Sequence, residues 1–89
     1  MFSVAACHDH DEEGFDTFQA CYDDHHGAEG LSVSEAIVVC CLDHPINGVK
    51  DVCGATAADC VTYITANANG PTAAEVQTSC NDYITQRGM

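Results

Sequence analysis

Thr56-Ala57-Ala58-Asp59-Cys60-Val61-Thr62-Tyr63-Ile64-Thr65 has an echo downstream, where Thr72-Ala73-Ala74-Glu75 precedes Cys80-Asn81-Asp82-Tyr83-Ile84-Thr85. In each copy a threonine is followed three residues later by a carboxylate. That is a helix-start signature, because the hydroxyl can satisfy an orphan backbone donor while the acid faces the positive helix end. Cys, Tyr and Ile then fall at i, i+3 and i+4, on one helix face. Both segments are therefore read as short helices that end near Gly70 and Gly88, with Tyr63 and Tyr83 packed against disulfides. Either duplication of a helical hairpin or coincidence accounts for the echo.

The same grammar recurs upstream. Ser32-Val33-Ser34-Glu35 opens the run Ala36-Ile37-Val38-Val39-Cys40-Cys41-Leu42, which His44-Pro45 and then Asn47-Gly48 stop. This is read as a third helix, with a buried strand as the alternative, since a short apolar run rich in β-branched residues fits both. On a helix, Cys40 and Cys41 point about 100° apart. They would tie two different neighbours to this segment and make it the central element. Phe15, Phe18 and Tyr22 recur at helical spacing and predict a first helix through 15–22, with Asp11-Glu12-Glu13 at its positive end, His25-His26 at its negative end and Gly27 as terminator. A short turn is expected over 49–53, and loops over 27–30 and 67–71. The fold class is thus all-α: a small disulfide-stapled bundle of about four short helices in a single domain over 1–89, with residues 1–11 as an acidic, histidine-bearing arm.

Seven cysteines, Cys7, Cys21, Cys40, Cys41, Cys53, Cys60 and Cys80, stand in 89 residues. So high a density in so short a chain reads as a disulfide framework in an oxidising, extracellular compartment. A core of this size yields only a few kcal/mol of net stability, and each bridge adds about 2–4 kcal/mol. All seven are disulfide candidates, and spacing does not reveal the pairing. The odd count leaves one to stay buried or to join two chains in a disulfide-linked homodimer.

Two basic residues, Lys50 and Arg87, face fourteen acidic ones, for a formal charge of −12. Phosphate backbones and anionic headgroups would repel such a surface, which argues against nucleic-acid partners and membrane-surface binding. The longest apolar run, 36–42, is far short of the roughly 20 residues a spanning helix needs, so no membrane insertion is expected. His8 ends the opening apolar stretch too early for a signal peptide, and the chain is expected to be a mature form.

Candidates for site chemistry are few. Cys7-His8-Asp9-His10-Asp11 and His25-His26 cluster nitrogen and oxygen ligands of the kind that suit Zn²⁺, and His8, His10, His25 and His26 are the candidate metal ligands. The helix dipole accounts for the same residues without a metal. Asp9-His10-Asp11 lacks the glycine and the distal glutamate of a calcium loop. Glycine-rich phosphate loops, serine elbows and paired-histidine protease helices are missing from the sequence, and no cofactor is called for. The chain is read as a non-enzyme.

In size, acidity and bridged short helices the chain is similar in kind to ciliate mating pheromones and to small cysteine-rich fungal effectors. That resemblance implies a secreted protein acting on a protein partner or receptor. The order Cys, Cys, Cys-Cys, Cys, Cys, Cys also resembles the eight-cysteine pattern of plant lipid-transfer proteins with one member absent, which implies a carrier of an apolar ligand. Here that family's Cys-x-Cys element is missing, because six residues separate Cys53 from Cys60. The expected function is recognition of a protein partner by a secreted signalling, effector or toxin-like protein. A lipid carrier and a subunit of a disulfide-linked assembly are the alternatives.

Overall fold

A computed structural model of the chain describes residues 14–88. Four α-helices follow one another: α1 (Phe18–Tyr22), α2 (Val33–Asp43), α3 (Ala57–Asn67) and α4 (Ala73–Arg87), with a π-helical segment, Asp23–Ala28, continuing directly from α1. Among the described residues there is no strand, only isolated bridges joining Phe15 to Ile46 and Ile46 to Val49.

The starts of α2, α3 and α4 are those the sequence signals. Ser32 and Thr72 form full capping boxes with Glu35 and Glu75, and the Thr56 hydroxyl accepts from the Asp59 amide at 3.1 Å. The 36–42 run is helical, so the strand alternative falls. It ends where Pro45 forbids continuation and disfavours helical backbone at His44, which is extended at φ −126°, ψ 128°.

The first helix differs from expectation at both ends. It begins at Phe18, capped by Thr17, because the Phe15 backbone is engaged elsewhere: its amide donates to the Pro45 carbonyl and its carbonyl accepts from Asn47. Nor does Gly27 stop it. The chain widens into π turns through Gly27 and leaves the helix at Gly30, whose φ of +76° is the left-handed conformation suited to glycine. The acidic run 11–13 lies outside the described residues.

Three disulfides staple these parts: Cys21–Cys40, Cys41–Cys53 and Cys60–Cys80, with Cα separations of 6.0, 5.6 and 5.6 Å. The adjacent pair on α2 does reach two neighbours, Cys40 to α1 and Cys41 to the loop before α3. α2 also packs along α4, which in turn packs along α3. The core between them holds Phe18, Ile37, Ile64, Val76, Tyr83 and the six bridged cysteines. Those six pair among themselves, and the seventh cysteine, Cys7, lies outside the described residues.

A candidate site at the histidine pair and an apolar cleft

Two places gather chemistry, and the first is built by backbone pairing. The bonds from Phe15 to Pro45 and Asn47 lay its ring beside the C-terminus of α2, edge-on to His44 with ring centroids 5.3 Å apart. From the other side, the π segment turns His25 inward. The two imidazoles meet Nε2 to Nε2 at 3.0 Å, His25 being 8% and His44 7% exposed. The Phe15 ring also stands edge-on to His25, at 6.3 Å. On the far side of the His25 ring, Nδ1 lies 3.1 Å from a Glu29 carboxylate oxygen, one helical turn on, but out of line for a hydrogen bond. The Cys21 sulfur lies within 4.8 Å of a ring nitrogen of each histidine and is bonded to Cys40.

Of the candidate ligands read from the sequence, His25 is in this pair and His26 is not. His26 stacks on Tyr22 with centroids 5.1 Å apart and an interplanar angle of 19°. Its Nδ1 lies 2.8 Å from the Leu31 carbonyl, an acceptor, so that nitrogen carries the proton. His8 and His10 lie outside the described residues. Sequence reading missed His44, treating it only as the end of a helix. The signal available was the proline after it, which fixes the residue in extended backbone and swings its ring off the helix surface.

The second place is a cleft of about 320 Å³ between α2 and α4, lined by Leu31, Ser34, Glu35, Val38, Val39, Asp82 and Gln86. α2 carries more apolar residues than one buried face can use. Ala36, Ile37, Val38, Cys40 and Cys41 are buried, while Val39 is half-buried and Leu42 exposed. Across the cleft, the exposed Asp82 and Gln86 stand one turn apart on α4. The Ser79 hydroxyl donates to the Glu75 carbonyl and lies 3.0 Å from the Ser34 hydroxyl, a small polar seam between the two helices.

The described cations do not offset the acidic field at the cleft. Arg87 donates to the Gly54 carbonyl and the Tyr83 hydroxyl, and its guanidinium lies 3.9 Å from Asp51. Lys50 is exposed beside a different hollow, formed by 41–45 and Asp51. No helix among the described residues is long and apolar enough to cross a membrane. Comparison with protein-family models, curated proteins and solved structures finds no match.

Proposed function

We propose that this chain is a secreted, non-enzymatic recognition protein that engages a protein partner through the α2–α4 cleft. The observation that carries the reading is the cleft's make-up: an apolar floor of Leu31, Val38 and Val39 rimmed by Glu35 and Asp82, on a chain of net charge −12. An apolar floor with a charged rim is the anatomy of a protein-binding surface, and the rim's sign selects a partner segment in which Lys or Arg flanks apolar anchors. Three disulfides favour an oxidising setting. The six bridged cysteines offer no thiol nucleophile. The buried side chains form one packed core and the α2–α4 cleft opens at its surface, which favours surface recognition over carriage of a lipid.

Selection of displayed peptides on the folded, oxidised chain tests this. Peptides with basic residues around an apolar centre should be enriched, should perturb amide signals at Leu31, Val38 and Val39, and should lose affinity for a Val39→Asp variant that melts as the parent does. Perturbations centred away from the cleft would sink the reading. A lipid retained in native mass spectra would put the carrier in its place.

The cysteine count favours a second reading, a subunit of a covalent assembly. With the other six cysteines consumed pairwise, Cys7 has no partner left among them, and a bridge to a second copy of the chain would complete its pairing. Intact mass without reductant decides it: a doubled mass that halves on reduction is a disulfide-linked homodimer.

A further inference from the structure

We infer that His25 and His44 form a binding site for a borderline divalent cation, zinc or copper(II), held through both Nε2 atoms. Three observations converge. The first is the distance. Nitrogens sharing one tetrahedral zinc at ordinary bond lengths stand about 3.3 Å apart, and the two Nε2 atoms are already at 3.0 Å with their ring edges facing each other. A small opening of the pair admits the ion. Neutral imidazole is a ligand both zinc and copper(II) accept readily.

The second is Glu29. A metal-bound histidine typically holds its other ring nitrogen against a carboxylate, which keeps the proton on that nitrogen and makes the metal-facing one more basic. His25 Nδ1, buried and without an aligned partner, has the Glu29 carboxylate at 3.1 Å. Glu29 is exposed, which leaves its carboxylate room to turn into line with that nitrogen. In the coordinated pair His44 carries its ring proton on Nδ1, so no net proton need leave two neutral rings.

The third is the backbone that presents the pair. The π segment Asp23–Ala28 carries His25, and such wide turns recur at functional sites because they re-aim one side chain without breaking the helix. The Phe15 ring covers the pair from one side, and the Cys21–Cys40 disulfide lies on another. Two protein ligands leave coordination positions for water or for an atom from another molecule.

The test uses the full, oxidised chain with Zn²⁺ and Cu²⁺ as probes. Calorimetry at neutral pH should give a single equivalent bound, with affinity reduced about tenfold or more by His44→Gln or by His25→Gln. His26→Ala and the double variant His8→Ala/His10→Ala should bind as the parent does. Imidazole nitrogen NMR of the unaltered protein keeps the test decisive if a glutamine variant fails to fold: on adding Zn²⁺, the Nε2 signals of His25 and His44 should shift and those of His26 should not. Absence of binding, or binding lost with His8 and His10 while His44→Gln retains it, overturns the site.

Discussion

Cys60 and Cys80, the leading cysteines of the two echoed segments, are bonded to each other, so the repeat is internal to one helical hairpin in which α3 and α4 present the same face to the same bridge. Their separation of 20 residues closes a loop whose entropy the unfolded chain would otherwise recover. Replacing both with alanine should cost about 3 kcal/mol on that account, plus the loss of two buried sulfurs. Denaturant unfolding of the double variant against the parent, both with the other bridges intact, measures it. A loss below about 1 kcal/mol would mean that helix packing, and not the bridge, holds the hairpin.

The tyrosines one turn further on are not equivalent, although the sequence treats them alike. Tyr83 is 0% exposed, donates its hydroxyl to the Gly54 carbonyl at 2.6 Å and accepts from Arg87 at 2.8 Å. Tyr63 is half-buried and edge-on to Phe18, with centroids 5.6 Å apart. Tyr83→Ala should therefore cost about 3–5 kcal/mol, and Tyr63→Ala less. Tyr83→Phe should cost only about 1 kcal/mol, since Arg87 still serves the Gly54 carbonyl at 2.9 Å. Equal losses for the two alanine variants would contradict the asymmetry.

What could be read in advance was local. Caps at Ser32, Thr56 and Thr72, the stop at Pro45 and the divergence of Cys40 from Cys41 depend on residues within a turn of one another, and all stand as read. What could not be read depends on chain brought from afar. Phe15 looks like the next member of the Phe18–Tyr22 face until its backbone is claimed by 45–47. His44 looks like a helix terminus until the π segment delivers His25 to it. The Gln19 side chain accepts from the Asn69 amide, 50 residues away, and pins α1 to the α3–α4 loop without any motif. Of the candidate metal ligands, one of the two within the described residues lies in the pair, because adjacency in sequence sends His25 and His26 to different sides of a wide turn.

Gly54 is a further contact of this kind, and it contrasts with Gly27. At Gly54 φ is +85°, and an added Cβ would stand 2.7 Å from the Asp59 Cβ at the start of α3. Left-handed strain and overpacking together should make Gly54→Ala destabilising by about 2–4 kcal/mol. At Gly27 nothing lies within 4 Å and φ is not left-handed, so Gly27→Ala should stabilise by about 0.4–1 kcal/mol by restricting the unfolded chain. Thermal midpoints of the two variants should move in opposite directions. A shift of both the same way would show that the wide turn needs glycine for its own geometry.

Tyr22 makes stability depend on alkaline pH. Its hydroxyl pKa is raised above the ordinary 10.0, first by burial and then by the negative charges of Glu75 and Asp23. Tyr63 is raised in the same direction by burial alone. A folded-state pKa above the unfolded one means that the fold holds the phenol proton more tightly. The associated stability is fully present below the unfolded value of about 10 and is lost as pH rises through the higher folded values. Denaturant midpoints should therefore stay level up to about pH 9 and fall beyond pH 10, in step with phenolate absorbance. Tyr22→Phe removes an ionisation opposed by burial and by two negative charges, and its midpoints should fall less steeply over that range. Asp23→Asn, which takes away one of the opposing charges, should bring the Tyr22 transition to lower pH. An alkaline decline of the same slope in parent and Tyr22→Phe would assign the loss to other groups and remove Tyr22 from the account.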